Sequence, residues 1–144
     1  MANLRIAAVL TWVYAACFGI PAIPVAVFLR QRGTLPWFED LFPMYGGPWS
    51  SQFDADAFTV ALVLFLGLTL VAAWTAWQTW KGSKRGAAAN LALLPVEAVF
   101  WLGFALPIPW IVGIARAALI GAAWNTLKRS HGPSPPAGTP LSPQ

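Results

Sequence analysis

The chain has 144 residues, of which 58% are hydrophobic and only 10% are charged, and it carries a net charge of +4. Soluble domains have roughly 45–50% apolar and 25% charged residues, and so small a domain has too little interior to hide this apolar excess. The composition therefore excludes a soluble protein. The basic residues lie at the ends of apolar runs, which also argues against a nucleic-acid-binding surface.

Four apolar segments follow one another, and each is long enough to cross a bilayer as a single helix. They cover residues 6–29, 57–80, 87–106 and 108–127. We expect an all-α membrane protein, an antiparallel bundle of four transmembrane helices that forms a single domain over residues 1–127. Residues 128–144 are rich in proline and are predicted to be a disordered cytoplasmic tail.

The positions of Lys and Arg predict the orientation. With both termini inside, the cytoplasmic side holds Arg5, Lys81, Lys84, Arg85, Lys128 and Arg129, whereas the outer side holds only Arg30 and Arg32. Because cytoplasmic loops attract basic residues, this distribution favours an N-in, C-in, multi-pass protein of the cytoplasmic (inner) membrane.

The first segment contains Pro21 and Pro24, which remove two N–H donors from a helix and leave the carbonyls of Cys17 and Ile20 unpaired. Proline is common in membrane helices for purely structural reasons. We therefore expect these prolines to shape the helix rather than to build a site.

An aromatic extracytoplasmic loop between the first two helices is the most unusual part of the sequence. Trp37, Phe38, Tyr45 and Trp49 are predicted to anchor it at headgroup depth, since Trp and Tyr are enriched there. The alternative is a lid across the mouth of the bundle. Pro36 could open a short helix through Phe42, and residues 44–48 read as a tight turn in which glycine supplies positive φ.

Glu97 in the third segment and Arg116 in the fourth are the only charges within the predicted helices. At about 1.5 Å of rise per residue, each lies roughly 14–15 Å from the turn between the two segments, and hence at matched depth near the bilayer midplane. Separate unpaired charges at this depth are costly, so we expect them to form a buried pair. The pair either fixes helix register or serves as an ion or substrate site.

Asn90, Trp101 and Phe104 are predicted to share a helical face with Glu97 and to line a pocket there. In the fourth segment, Gly113, Ala117 and Gly121 recur every four residues, a small-residue stripe typical of close helix packing. Arg116 borders this stripe.

The residues give no indication of a metal site or a cofactor. Cys17 is the only cysteine and His131, in the tail, is the only histidine. The expected partners are the lipid bilayer and either further copies of the chain or a larger membrane complex, with no nucleic acid. The sequence does not identify a small-molecule ligand.

Three function classes remain. The first is a non-enzymatic accessory, scaffolding or assembly subunit, which is the interpretation we prefer. The second is a small proton-coupled transporter or exporter that uses Glu97; its layout is similar to that of small multidrug-resistance exporters, although those carry their key Glu in the first helix, which has no acid here. The third, a lipid- or quinone-directed enzyme, has the least support because the helices contain no Ser–His or Cys–His pair.

Overall fold

The computed structural model describes residues 1–39 and 42–129. The elements, in chain order, are α1 (Ala2–Tyr14), a π-helical turn (Ala15–Gly19), α2 (Ala22–Arg32), β1 (Trp37–Phe38), β2 (Phe42–Pro43), α3 (Pro48–Gln52), α4 (Ala55–Trp80), α5 (Lys84–Gly103) and α6 (Pro107–Arg129). Four of the helical stretches are long and apolar enough to cross a membrane, as predicted: Ala2–Arg32, Ala55–Trp80, Lys84–Gly103 and Pro107–Asn125. The protein is thus an all-helical bundle of the multi-pass membrane type.

Local capping explains why some helix ends differ from the predicted ones. The Asp54 side chain accepts a 2.8 Å hydrogen bond from the Ala57 amide at the start of α4, and Ser83 does the same for Gly86 at the start of α5. The third span ends at Gly103, before the predicted Leu106, because Ala105 adopts a left-handed conformation with φ of 52°. Pro107 then opens α6.

The four spans form a ring in which neighbours in sequence are neighbours in space. The first span packs against α4 and α6, and α5 also packs against α4 and α6. The half of the core nearer the α5–α6 connection is aromatic, with Tyr14, Phe65, Trp101 and Phe104 buried in it, whereas a smaller cluster around Leu4, Ala87 and Ile120 fills the other end.

The first span changes helical pitch in its middle. The π-helical turn Ala15–Gly19 lies directly before Pro21. A π turn accommodates an extra residue where the regular hydrogen-bond ladder is interrupted, and Pro21 interrupts it. The Ile23 amide, between the two prolines, bonds to the Ile20 carbonyl at 3.1 Å, so the carbonyl that Pro24 would leave unpaired is satisfied locally.

The loop between the first two spans folds back over the bundle. Instead of the short helix predicted after Pro36, strands β1 and β2 pair antiparallel, with Trp37 opposite Pro43. The Met44 amide bonds to the Pro36 carbonyl at 2.8 Å, so the segment satisfies its backbone groups as a small hairpin rather than as a helical turn. The predicted tail lies outside the described residues, except that Lys128 and Arg129 continue α6.

Candidate functional site

Glu97 and Arg116 meet in the centre of the bundle. Arg116 Nη1 donates to Glu97 Oε2 over 2.9 Å, and both side chains are completely buried. The contact places the two charges at the same level in the bundle, which is the arrangement that their matched distance from the α5–α6 turn predicts. The positive charge is thus balanced inside the protein and away from lipid.

Asn90 on α5 holds the other edge of the Arg116 guanidinium. Its side-chain Oδ1 accepts from Arg116 Nη2 at 2.8 Å and from Nε at 3.2 Å. Its amide Nδ2 donates to the Thr75 hydroxyl at 3.3 Å, and that hydroxyl donates to the Ala72 carbonyl at 2.9 Å. This chain of hydrogen bonds links α6 through α5 to α4, with each polar group in a defined role.

Tyr14 closes the cluster from the first span. The centre of the Arg116 guanidinium lies 5.8 Å from the centroid of the Tyr14 ring, within cation–π range. Trp101 Nε1 donates to the Tyr14 hydroxyl at 2.9 Å, and the two rings pack edge to face. All four spans therefore contribute to one enclosed polar cluster: Tyr14, Thr75, Asn90, Glu97, Trp101 and Arg116.

One atom of the cluster has no protein partner. Glu97 Oε1 is buried and makes no hydrogen bond with any residue that the structure describes. A buried unsatisfied carboxylate oxygen is costly in a low-dielectric interior. It is the one place in the cluster where a proton or a small polar molecule would be stabilised.

The predicted pocket-lining residues divide into two groups. Asn90 and Trp101 belong to the polar cluster, but Phe104 does not. Because α5 ends at Gly103, Phe104 leaves the helical face that it was predicted to share, and it packs against Tyr45, Phe58 and Phe65 with ring centroids 5.3–5.4 Å apart.

The small-residue stripe of α6 is also divided. A Cβ on Gly113 would lie 2.6 Å from the Trp101 ring, so Gly113 is where the two helices approach closely. Ala117 is half-buried, and Gly121 is exposed with no neighbouring atom within 4 Å of its Cβ position. Among the described residues, Gly121 is therefore not a point of close approach to another helix, and its predicted role in helix packing stays a prediction.

The aromatic loop is divided between buried and exposed side chains. Tyr45 is buried and its hydroxyl donates to the Phe18 carbonyl in the π-helical turn, and Trp49 packs on Phe100 and Phe104. Trp37 and Phe38 remain exposed, and their role as headgroup anchors stays a prediction. Residues 44–52 thus form a cap on the bundle, whereas Trp37 and Phe38 extend beyond it.

The cap lies close against the α5–α6 connection because Gly47 has no side chain. A Cβ on Gly47 would lie 2.3 Å from the Gly103 carbonyl oxygen and 2.5 Å from the Ala105 nitrogen. The left-handed residue of the turn is Tyr45, with φ of 57°, where positive φ was expected at a glycine. Its buried ring and its hydrogen bond hold Tyr45 in this less favourable conformation.

A cavity of about 390 Å³ lies beside the cap, between the π-helical turn and the α5–α6 connection. Its lining is mainly apolar and includes Phe18, Tyr45 and Phe104. It does not reach Glu97 or Arg116, so the polar cluster is closed off from it.

Sequence reasoning missed the contributions of Tyr14 and Thr75. Both lie in segments without charges. The only indication in the sequence that they contact Glu97 or Arg116 is their similar predicted depth in the membrane. A recognisable pattern does exist on α4, where Thr69, Thr75 and Thr79 are buried among alanines along one face. A polar face directed inward in a lipid-embedded helix indicates hydrogen bonding to another helix.

Among residues 1–39 and 42–129, no group of three His, Cys, Asp or Glu side chains lies close enough together to hold a metal ion. The polar cluster itself contains one carboxylate beside a guanidinium, which is a poor cation site because the positive charge is already present. Comparisons with protein-family models, with curated proteins and with solved structures gave no match to this chain.

Proposed function

We propose that the protein is a non-enzymatic accessory or assembly subunit of a complex in the cytoplasmic membrane, with both termini inside. The observation that carries this proposal is the closed polar cluster. Arg116 is surrounded by Glu97, Asn90 and the Tyr14 ring, and neither charged side chain has an exposed surface. Glu97 and Arg116 are both engaged in contacts that join the helices to one another. This use of the two charges supports a scaffold protein rather than a reaction centre.

The exposed face of α6 supports a binding role for this scaffold. Its outer half presents large residues such as Ile111 and Ile114, whereas its inner half presents Ala118, Gly121 and Ala122. Small residues on a lipid-facing helix allow the backbone of another helix to approach closely. Since no other helix among the described residues comes within 4 Å of the Cβ position of Gly121, this face is open to another membrane helix, either of a second copy or of a different protein.

Site-specific photocrosslinking in native membranes tests the proposal. A photoreactive side chain at Ala118 or Ala122 should give a discrete protein adduct, and the same group at Val60 or Val63 on the exposed face of α4 should not. An adduct of about twice the mass of the chain would identify a second copy, and any other discrete mass a different subunit. Gly121→Leu should abolish the adduct without altering the fold. Lipid adducts alone at both faces would reject the proposal.

A second candidate is favoured by the unpartnered Glu97 Oε1, which is a place for a transported proton. A proton-coupled exporter would confer tolerance to a toxic cation that Glu97→Gln abolishes. If tolerance disappears while Glu97→Gln melts at the temperature of the parent protein, the exporter replaces the accessory subunit as the proposal. If neither variant nor parent alters tolerance, Oε1 serves no transport.

A further inference from the structure

Two cations at one end of the bundle are each held over a tryptophan ring. The Arg5 guanidinium lies 5.4 Å from the centroid of the Trp80 ring, and Lys81 Nζ lies 4.8 Å from that of Trp77. Both distances are within the range of cation–π attraction. The two basic side chains are exposed, so their charges are positioned by an aromatic surface while they remain accessible.

Trp12 from the first span joins these two pairs into one cluster. Its ring lies 5.6 Å from that of Trp80 and 6.2 Å from that of Trp77, measured between centroids. Trp12 Nε1 donates to the Ala73 carbonyl over 3.0 Å, which fixes the indole against α4. The aromatic base of the cluster is therefore formed before any ligand binds.

The charges at this end are not balanced by acids. Glu97 is paired with Arg116 in the core, and the described acids Glu39, Asp54 and Asp56 lie around the connection between the first two spans, at the opposite end of the bundle. The fifth acid of the chain, Asp40, is outside the described residues. Lys84 and Arg85 begin α5 close to Lys81 and add to the positive charge. In the described part of the chain, neither Arg5 nor Lys81 forms a salt bridge, so both remain available to an anion.

An exposed apolar strip leads away from the two cations along the membrane-spanning part of the same two helices. It is formed by Val9 and Val13 on α1 and by Leu70 and Trp74 on α4. Trp77, which contacts Lys81, is exposed as well. A surface with cations at the bilayer boundary and an apolar strip below it matches the two parts of a phospholipid, an anionic headgroup and its acyl chains.

We propose that this surface, formed by Arg5, Trp12, Trp77, Trp80 and Lys81, binds one anionic phospholipid. Arg5 and Lys81 contact the phosphate, and the acyl chains lie along the α1–α4 strip. The site is independent of the accessory role proposed above, because it lies on a different face from the exposed inner half of α6. Its bound lipid would brace α1 against α4 at the end where the first span begins.

Native mass spectrometry of the purified full chain tests the proposal. The protein is exposed to equal amounts of phosphatidylglycerol and phosphatidylcholine of the same acyl composition, and the retained lipids are counted. We expect one phosphatidylglycerol to be retained with at least tenfold preference. Arg5→Gln/Lys81→Gln removes both charged contacts with the phosphate, and hydrogen bonds to charged groups are the strong ones, so retention should fall about tenfold or more.

Two matched double variants separate a defined site from general attraction. Arg30→Gln/Arg32→Gln removes the same charge at the other end, and Lys84→Gln/Arg85→Gln removes it beside the site but away from the tryptophan rings. Neither of these pairs contacts the phosphate in the proposed site, and exposed charges that only lie nearby contribute little, so both variants should keep phosphatidylglycerol retention within about threefold of the parent. Equal loss in all three double variants, or no preference in the parent protein, would overturn the proposal.

Thermal melting of each variant checks that the fold is retained. Phosphatidylglycerol should raise the melting temperature of the parent protein and of both control variants, but not that of Arg5→Gln/Lys81→Gln.

Discussion

Asn90 accepts more hydrogen bonds from Arg116 than Glu97 does, although only Glu97 carries the opposite charge. Arg116 Nε and Nη2 both donate to Asn90 Oδ1, and Nη2 also reaches the Asn90 carbonyl at 3.5 Å, whereas Glu97 accepts one bond from Nη1. The amide therefore orients the guanidinium, and the carboxylate balances its charge.

Asn90→Leu should destabilise the protein by about 3 kcal/mol or more, because Arg116 would lose its principal acceptors in a buried environment. Thr75→Val is the matched control. It removes the neutral hydrogen bond that Asn90 makes between α5 and α4, leaves the Arg116 contacts in place, and should cost about 1 kcal/mol. Melting in detergent measures both, and equal losses would show that Asn90 does not orient Arg116.

Glu97→Leu and Arg116→Met should each cost about 3–5 kcal/mol alone, since each leaves a buried charge without its partner. The double variant should recover a large part of the summed loss, which a double-mutant cycle on melting temperature and folded yield would quantify. Additive losses would mean that the 2.9 Å contact contributes little to stability.

Gly113→Ala and Gly121→Ala make the same change at two positions of α6 with opposite expected results. At Gly113 the new methyl group would meet the Trp101 ring at 2.6 Å, so we expect a loss of about 1–3 kcal/mol from overpacking. At Gly121 the methyl group enters open space, and alanine favours the helix, so stability should rise by up to about 1 kcal/mol. A lower melting temperature for both variants would contradict the packing described for α6.

Burial raises the pKa of Tyr45 above its ordinary value. The folded state thus retains the phenol proton at pH values where the unfolded chain loses it. The contribution of Tyr45 to stability is therefore full below about pH 10, the usual pKa of tyrosine, and declines as the pH rises above it. At neutral pH, Tyr45→Phe should lower the free energy of unfolding by about 0.5–1.5 kcal/mol, the value of one hydrogen bond. The melting temperature of this variant should fall less steeply than that of the parent between pH 10 and 12. Parallel pH profiles for the two proteins would contradict this assignment.

Cysteine labelling in intact cells checks the N-in, C-in orientation. In a Cys17→Ser background, Thr34→Cys should react with a membrane-impermeant maleimide without permeabilisation, and Arg85→Cys only after it, because Thr34 follows the end of the first span and Arg85 lies in the first turn of the third, at the opposite end of the bundle. The reverse pattern would invert the predicted topology.

The number of spans could be predicted because length and hydropathy are local properties of each segment. The Glu97–Arg116 contact followed from depth alone, since two charges equally far from a turn meet when the helices pack as a hairpin. The stripe on α6 does not lie on one face, for a geometric reason. At about 100° per residue, Gly113 and Gly121 are rotated by roughly 80° relative to each other, so a spacing of four drifts off a single face.

The remaining features depend on how helices rotate about their axes and on long-range contacts. Tyr14 meets Trp101, 87 residues later, and Tyr45 meets Phe18, 27 residues earlier. The rules for loops predicted a glycine in the left-handed position, but burial of the Tyr45 ring and its hydrogen bond decided otherwise. Such positions are fixed only once the entire bundle has formed.

The separation of 19 residues between Glu97 and Arg116 also constrains how the protein enters the membrane. During synthesis α5 emerges before α6, so its carboxylate reaches the insertion machinery while its partner is still being made. Insertion of a lone helix with a central charge costs about 2.5–3.5 kcal/mol, which favours holding α5 until α6 arrives and releasing the two into lipid together. Loss of Arg116 would then reduce the amount of protein in the membrane through failed biogenesis, before the stability of the finished bundle became relevant.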